Sequence, residues 1–349
     1  MTLDPTTPPS ARAARYVVIG AGAIGATVGA QLQRGGRDVV LVARGEHAAA
    51  MRDQGLELHT PDGVERIAVR VARLSDYRPE PSDVVILCVK SHHTEGILAE
   101  LAAQYVDHVP VGQRLPLVCL QNGIENERRA RRYFNTVVGG CLMMPAVLVR
   151  PGRVAASGAP LLGIIDLGLI GSAHHPVIDQ LAQDLRTVRF DSTVRTDIMR
   201  WKRAKLIRNL DNALDALGRP PEDEDLVGRR VSQAVRNEAR RVFAALHLDV
   251  VDDDAWARYR GDRVVAAHMT VTDGASTSTW QSLARGTGST EIDFLNGEIS
   301  MLGREAGVPT PVNDALRDLV RRLARRGRKP DARTYARARR QLRQTVDDP

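Results

Sequence analysis

Three glycines that directly follow a run of β-branched residues constrain the fold of this chain more than any other feature. The segment Arg15-Tyr-Val-Val-Ile-Gly20-Ala-Gly22-Ala-Ile-Gly25 predicts a strand, a tight turn and the start of a helix. In this pattern the first glycine permits the turn, the second lets a diphosphate approach the backbone, and the third lets the helix pack close to the strand. The amides at the helix N-terminus then face the anion. The residues assigned to this dinucleotide site are Gly20, Gly22, Ala23, Ile24 and Gly25.

The strand that follows indicates which dinucleotide is bound. A helix predicted over 23–34 leads to a second strand over 38–43, which ends at Ala43-Arg44-Gly45. An NAD site usually ends this strand with an acidic residue, whereas an NADP site offers an arginine to the 2′-phosphate. Because the guanidinium of Arg44 is planar and permanently charged, the sequence favours NADPH. The alternatives are a surface arginine near Glu46 and, for the glycines, a buried turn that needs them only for packing.

The composition narrows the class of protein. A chain of 349 residues is long enough for two domains. The three cysteines lie in apolar runs whose spacing indicates neither a disulfide framework nor a zinc site, so we expect no metal. No apolar stretch is long enough to cross a bilayer, and residues 1–14 lack the apolar core of a signal peptide. We therefore expect a cytoplasmic protein with no membrane partner.

The positive charge of the chain is concentrated at one end. The formal net charge is +7, and residues 304–349 carry thirteen Lys or Arg against six Asp or Glu. No aromatic residues alternate with the arginine pairs, which flank an apolar helical stripe. We therefore expect a solvated helix face and a mobile basic tail after Pro330, with no nucleic acid as partner.

The order of predicted elements indicates a two-part α/β chain. Strands and helices alternate up to about residue 195, which is typical of a doubly wound, Rossmann-type sheet. Beyond that point the pattern is helical. The predicted parts are a disordered tail over 1–14, a Rossmann-type NADP-binding domain over 15–195, an all-helical substrate domain over 196–327 and a basic tail over 328–349. The predicted C-terminal helices cover about 197–217, 228–246, 253–269, 276–284, 289–306 and 312–326.

One predicted helix carries polar groups suited to a ketone substrate. Only four of the 49 basic residues are lysines, so a lysine raises the question of a role that arginine cannot fill, such as losing a proton. At 100° per residue, Lys205, Asn209 and Asn212 fall on one stripe of the helix, with Lys202 at its border. A lysine beside two amides can protonate a developing alkoxide and orient the neighbouring oxygens. The alternative is a helix side that faces solvent.

Several further motifs accompany the glycine loop and the strand end at Arg44. They are Cys88-Val-Lys90, Leu120-Gln-Asn122-Gly123, Trp201 with Lys205-Leu-x-x-Asn209, Ser276-Thr-Ser278-x-x-Gln281 and Thr290-Glu291-Ile-Asp293-x-Leu-Asn296-Gly297. Together with GAGAIG at Gly20, these motifs resemble the 2-dehydropantoate 2-reductase (ketopantoate reductase) family over residues 15–310. The resemblance implies an NADPH-dependent enzyme with a Rossmann-type and a helical domain, which reduces the keto group of ketopantoate to give pantoate, a precursor of coenzyme A.

The resemblance also implies roles for individual residues. Lys205 resembles the general acid and Asn209 a residue that holds the substrate. Asn122 would line both the substrate and the cofactor site, and Lys90 would lie near the nicotinamide ribose. Ser278 resembles the residue that contacts the substrate carboxylate. Glu291 resembles the one that meets the hydroxyl end of the substrate and the catalytic lysine.

The chain departs from the family pattern where the substrate binds. The second asparagine of the family lies four residues after the first, but that position is Ala213 here and the amide is at Asn212. The alternatives are therefore a family paralogue that reduces another ketone in specialised metabolism, and an NADPH-sensing regulator, which would have no need of Lys205. The expected partner is a small 2-oxo acid, and a homodimer is the assembly considered.

Overall fold

The computed structural model describes residues 14–171, 174–218, 225–272, 277–286, 288, 290–327 and 331–347. Most of the predicted N-terminal tail, and Ser276, lie outside the described residues. The chain divides into two compact units. The first, here called the sheet unit, contains Met1–Gln121, Asn126–Ile198 and Asp262–Thr272. The second, the helical unit, contains Asn122–Glu125, Met199–Gly261 and Asp273–Pro349.

The described elements follow in chain order. The strands are β1 (Arg15–Ile19), β2 (Asp38–Val42), β3 (Leu56–Thr60), β4 (Gly63–Ile67), β5 (Val71–Ala72), β6 (Asp83–Leu87), β7 (Tyr105–Val106), β8 (Val109–Pro110), β9 (Leu117–Cys119), β10 (Val137–Met143), β11 (Ala146–Arg150), β12 (Arg153–Ala156), β13 (Gly158–Pro160), β14 (Gly163–Leu169), β15 (Phe190–Asp191) and β16 (Val264–Ala266). The helices are α1 (Ala23–Arg34), α2 (Gly45–Gln54), α3 (Thr94–Ala102), α4 (Val111–Arg114), α5 (Asn126–Ala130), α6 (Pro176–Arg186), α7 (Ile198–Asn209), α8 (Asn212–Ala216), α9 (Leu226–Ala245), α10 (Asp253–Arg260), α11 (Ser278–Ala284), α12 (Asn296–Ala306), α13 (Pro311–Arg325) and α14 (Ala332–Asp347). Short 3₁₀ segments cover Leu74–Asp76, Ser91–His93, Thr270–Thr272 and Ile292–Phe294.

The sheet unit is built on an eight-stranded sheet in the order β15-β14-β10-β9-β6-β1-β2-β5. Strands β5, β2, β1, β6, β9 and β10 run parallel, and β14 pairs antiparallel with β10. The chain moves from β1 to β2 in one direction and later returns to place β6 on the other side of β1. This reversal is the switch point at which doubly wound sheets bind ligands. The predicted fold class, a Rossmann-type domain followed by a helical one, is confirmed.

The central strands have sequences that suit their position. Strands β1, β2 and β6 are nearly continuous runs of Val, Ile and Leu, because a parallel strand covered on both faces needs apolar side chains on both. Helix α1 packs against β1 and β2, and also against β11 and β12 of a second, four-stranded sheet in the order β11-β12-β3-β4. Both sheets and α1 share one apolar core.

Two predicted helices are interrupted. The helix predicted over 253–269 is wrong beyond Arg260, because Gly261 takes a positive φ of 48° and the following valines form β16. Strand β16 pairs antiparallel with β13 and so belongs to the sheet unit. The helix predicted over 197–217 ends at Asn209 and begins again at Asn212. In the break, Asp211 forms an ion pair with Arg236 of α9, and the Leu210 carbonyl accepts a hydrogen bond from Asn296 Nδ2 at 3.3 Å.

The mobile basic tail predicted after residue 328 is also wrong for residues 331–347. Residues Ala332–Asp347 form α14, which packs against α9 and α13. Its Tyr335, Ala338 and Leu342 are buried in the core of the helical unit. The Tyr335 hydroxyl also donates a hydrogen bond to Asp225, a buried carboxylate just before α9. The arginines between these three residues are exposed. The apolar stripe therefore packs α14 against the core, and the arginines lie on the solvent-facing side of the helix.

Within the described ranges, every helix is too short or too polar to cross a membrane.

Removal of the chain after Gly327 is expected to destabilise the protein, because it uncovers the core face that α14 covers. Burial of one leucine contributes about 1.5–3 kcal/mol, so loss of α14 should lower the melting temperature by roughly 5 °C or more. Thermal denaturation of the full and shortened chains measures this. Leu342→Ala should reproduce part of the loss, whereas Arg337→Ala, on the exposed side of α14, should not. An unchanged melting temperature of the shortened chain would show that α14 does not stabilise the unit.

Candidate active site

The glycine loop after β1 has the geometry of a diphosphate cradle. Gly20 has a positive φ of 99°, and a Cβ there would lie 2.8 Å from the backbone nitrogen of Val89. A Cβ at Gly25 would lie 2.3 Å from the Gly20 carbonyl oxygen, so this glycine permits α1 to start directly against the loop. Gly22 differs from both, because a Cβ there would meet no atom within 4 Å. The loop thus has one side that is closed by the fold and one that is open to a ligand, as a bound diphosphate requires.

Arg44 lies at the carboxyl end of β2, where the second predicted cofactor contact was placed. It immediately precedes α2, and its side chain is exposed. Its guanidinium donates a hydrogen bond of 3.2 Å to Nε2 of His93, which follows β6 in the sheet. Among the described residues no ion pair joins Arg44 to Glu46. The absence of an acidic residue at this strand end and the exposed guanidinium both suit a phosphate ligand.

Lys90 is held at the end of β6 by a buried polar network that the sequence did not reveal. Lys90 directly precedes the 3₁₀ segment Ser91–His93. Gln121 donates hydrogen bonds to the Val89 carbonyl at 2.8 Å and to the Thr94 hydroxyl at 2.9 Å. Thr94 donates to Asn126 Oδ1 at 2.9 Å, and Asn126 Nδ2 donates to the Ser91 hydroxyl at 3.1 Å. The network therefore fixes both backbone segments that flank Lys90.

The four members of this network are all buried side chains: Ser91, Thr94, Gln121 and Asn126. The sequence contained a signal for two of them, because Ser91 and Gln121 follow closely after apolar strands, whereas Thr94 and Asn126 begin the next helices. Cys88, in the same segment, was predicted to be a packing residue. Burial raises the pKa of its thiol to about 12, so the thiol stays neutral beside the glycine loop.

In the helical unit, two of the predicted substrate residues meet directly. Asn209, the last residue of α7, donates a hydrogen bond of 3.2 Å from Nδ2 to Oδ1 of Asn122. Lys205 precedes Asn209 by one helical turn and is half-buried. The side chain of Asn209 is itself buried. The hydrogen bond brings together two side-chain amides, a group that carries both donor and acceptor atoms.

The segment that carries Glu291 also lies near Asn122. Glu291 is buried and directly precedes the 3₁₀ segment Ile292–Phe294. The Phe294 carbonyl oxygen would lie 3.0 Å from a Cβ at Gly123, whose φ is 84°. The loop that bears Asn122 therefore packs on the segment that follows Glu291. A side chain larger than glycine would disturb this contact.

Asn212 and Ser278, the other two predicted substrate residues, each lie at the start of a short helix. The continuous helix on which the stripe of Lys205, Asn209 and Asn212 was predicted is interrupted, because α7 ends at Asn209 and α8 begins at Asn212. Ser278 opens α11, which packs against α8. Roles of both residues in substrate binding stay predictions. None of the described hydrogen bonds joins Ser278 to Asn122 or Asn209.

Comparisons with known proteins agree with this architecture. The family described as "Ketopantoate reductase PanE/ApbA" matches residues 16–170, and "Ketopantoate reductase PanE/ApbA C terminal" matches residues 197–324. A protein named 2-dehydropantoate 2-reductase from Archaeoglobus fulgidus is 32% identical over 317 residues, which cover 89% of this chain and 98% of that protein. One from Halobacterium salinarum is 29% identical over 321 residues, 90% of this chain and 100% of that protein.

Solved structures show the same fold. The structure of a PanE/ApbA family ketopantoate reductase from Ralstonia eutropha JMP134 has a TM-score of 0.73 and 28% identity, and the match covers 89% of this chain and 99% of that one. The structure of a D-mandelate dehydrogenase with NADH and anilino(oxo)acetate has a TM-score of 0.76 over the same shares of both chains, at 23% identity. The second match shows a common fold alone.

Gly22 and Gly25 are expected to respond differently to an added methyl group. Gly25→Ala should lower the melting temperature, because its Cβ would collide with the Gly20 backbone. Gly22→Ala should leave the melting temperature nearly unchanged but weaken dinucleotide binding, because its Cβ enters the open side of the loop. Thermal denaturation and titration with NADPH and NADH measure the two effects. Equal binding by wild type and Gly22→Ala would contradict the assigned diphosphate position.

Proposed function

The chain belongs to the ketopantoate reductase family, and on this premise we propose that it reduces ketopantoate to pantoate with NADPH. It is an oxidoreductase that acts on a 2-oxo acid. The observation that supports a 2-oxo acid as the substrate is the hydrogen bond between Asn209 and Asn122. Asn209 lies one helical turn after Lys205 on α7. A sensor of NADPH would need no such group of lysine and amides, so the regulatory alternative is not favoured.

The protein supplies a proton and orients the substrate. NADPH, when bound, supplies the hydride that adds to the keto carbon. The carbonyl oxygen gains negative charge as this carbon is reduced, and we assign Lys205 as the general acid that donates a proton to it. Lys205 is then left neutral and regains its proton from solvent. Arginine could not take this role, because it does not release its proton in proteins.

The remaining predicted residues are assigned to binding. The Asn122 and Asn209 amides are assigned to orienting the oxygens of the substrate, because a side-chain amide carries both donor and acceptor atoms. Ser278 is assigned to the substrate carboxylate, and Glu291 to the hydroxyl end of the substrate and to Lys205. Asn212 is kept as a substrate residue on the resemblance alone. Because Asn212 is shifted by one residue from the family position, the measurement with a panel of 2-oxo acids tests the choice of ketopantoate as the substrate.

The cofactor assignment rests on the sheet unit. Gly20, Gly22, Ala23, Ile24 and Gly25 are assigned to the diphosphate, Arg44 to the 2′-phosphate, and Lys90 with Asn122 to the nicotinamide end. The open space at Gly22 and the exposed guanidinium of Arg44 support this assignment.

The proposed product serves coenzyme A precursor synthesis in the cytoplasm. Cys88, Cys119 and Cys141 form no disulfide bond, which agrees with a reducing compartment. A homodimer stays a prediction.

Arg44→Ala is expected to weaken NADPH binding by about 1.5–3 kcal/mol, which is the scale of a hydrogen bond to a charged group. NADH binding should change little, because NADH has no 2′-phosphate. Isothermal titration with both cofactors measures this. Arg52→Ala replaces an exposed arginine on α2, the helix that follows Arg44; it serves as the matched control and should affect the binding of neither cofactor. Equal affinity of the wild type for NADPH and NADH would exclude the role of Arg44 in cofactor choice.

NADPH oxidation, followed by absorbance with a panel of 2-oxo acids, tests the reaction itself. Ketopantoate is expected to give the highest kcat/KM. Lys205→Ala should lower kcat by roughly 10²- to 10⁴-fold, the usual contribution of a positioned general acid, with little change in NADPH affinity. Lys205→Arg should be nearly as slow, because the charge is kept but the proton is not released.

Lys202 provides the comparison for this helix. It is buried, with 3% of its surface exposed, so Lys202→Ala should lower the melting temperature but leave kcat of the folded protein nearly intact. A loss of kcat in Lys202→Ala together with normal turnover in Lys205→Ala would show that Lys202, and not Lys205, is the general acid. A higher kcat/KM for another 2-oxo acid would support the proposed reduction but show that ketopantoate is not the preferred substrate.

A further inference from the structure

His47 of α2 joins the glycine loop to a turn that is distant in sequence. Its Nε2 lies 2.6 Å from the carbonyl oxygen of Ala21, the residue between the first two glycines of the loop. Its Nδ1 accepts a hydrogen bond of 2.9 Å from the backbone N–H of Gly152, in the turn between β11 and β12. All three residues belong to the sheet unit. No role in the proposed reaction has been assigned to this imidazole.

The two partners determine the protonation state of His47. A backbone N–H can only donate, so Nδ1 must carry a lone pair, and a carbonyl can only accept, so Nε2 must carry the proton. The imidazole is therefore neutral and in a single tautomer. Burial lowers the pKa of His47, and the hydrogen bond to Ala21 opposes this effect, so the neutral form is the ordinary one.

The turn at Gly152, which bonds to the His47 imidazole, is itself fixed by contacts on both sides. Gly152 has a φ of 76°, and a Cβ there would lie 2.9 Å from Cβ of Ala50 on α2. Its carbonyl accepts a hydrogen bond of 2.9 Å from the backbone N–H of Glu57 in β3. Both sides of this turn are thus bonded, one to α2 and one to the second sheet. His47 is held from this side and reaches the glycine loop from a fixed position.

The contact at Ala21 controls a group that a diphosphate needs. The Ala21 carbonyl and the Gly22 N–H belong to one planar trans peptide, so they point in opposite directions. Nothing surrounds the Cβ position of Gly22, and glycine has wide backbone freedom, so packing around Gly22 does little to prevent rotation of this peptide. A bond that holds the carbonyl toward α2 therefore keeps the Gly22 N–H turned away from α2.

We propose that His47 is a positioning residue that sets the Ala21–Gly22 peptide so that the Gly22 amide is available to the cofactor diphosphate. The proposal rests on the proposed function only in requiring that a dinucleotide binds at the glycine loop. It concerns the diphosphate, which NADPH and NADH share, and is independent of the choice between them. His47 orients the loop and takes no part in proton transfer.

Two conservative variants separate the two hydrogen bonds of His47. The amide of glutamine can replace Nε2 and donate to the Ala21 carbonyl, whereas the shorter asparagine can replace Nδ1 and accept from Gly152. His47→Asn should thus weaken dinucleotide binding roughly three- to tenfold, about one net hydrogen bond, with a nearly unchanged melting temperature. His47→Gln should bind the dinucleotide within about twofold of wild type and show the lower melting temperature of the two.

The measurements are titrations of the full-length protein with NADPH and with NADH, and thermal denaturation of each variant without cofactor. His47→Asn should weaken the binding of NADPH and of NADH by the same factor, whereas Arg44→Ala should weaken the binding of NADPH alone. His174→Gln, an exposed histidine paired with Asp179, is the matched control and should change neither measurement. If wild type prefers NADH, the proposed NADPH dependence fails while the His47 comparison proceeds with NADH.

A purely structural role predicts another pattern. Both variants would then lose thermal stability, and neither would change its affinity beyond that loss. Unchanged affinity in His47→Asn would overturn the proposal. So would weakened binding in His47→Gln, where the bond to Ala21 is kept, and this second result can be obtained even if His47→Asn does not fold. Failure of wild type to bind either dinucleotide would overturn both this proposal and the proposed function.

Discussion

The close packing of α1 between two sheets is the constraint on which the rest of the sheet unit depends. The helix touches parallel strands of the large sheet and strands of the smaller sheet, and its residues from Gly25 to Leu32 are buried. Such an approach requires small side chains. A Cβ at Gly29 would lie 2.4 Å from Cδ2 of Leu41, and one at Gly25 would strike the Gly20 carbonyl. The same small residues that let the helix enter the core bring its N-terminus to the carboxyl end of β1, where an anion can be bound.

The local part of this arrangement could be predicted from the sequence. The glycine loop, the strands around it and the strand end at Arg44 depend on residues that are close together along the chain, so their spacing carries the information. The errors concern contacts between distant residues. The break before Asn212 is accompanied by contacts from Arg236 and Asn296, and β16 forms because β13 offers an open edge. A helical period cannot show either partner.

Charge and polarity misled the prediction in opposite ways. The basic residues of α14 suggested a solvated tail, although three buried residues at helical spacing bind this helix to the core. Ser91, Thr94, Gln121 and Asn126 form a buried network around the segment of Lys90, and nothing in their spacing along the chain shows that they meet. Asn122 and Asn209 could be named from their motifs. Their hydrogen bond could not, because it joins two residues that are 87 positions apart along the chain.

The division of the chain into units has a consequence for its synthesis on the ribosome. Strand β13 pairs with β16, so the sheet unit lacks its last strand until Val264–Ala266 have been made. Conversely, Asn122–Glu125, a short piece of the helical unit, emerges long before the helices that receive it. The sheet unit therefore cannot be completed until Met199–Gly261 of the helical unit have also been made. The described residues form three apolar cores, two in the sheet unit and one in the helical unit, and long-range pairings such as that of β13 with β16 are expected to close late.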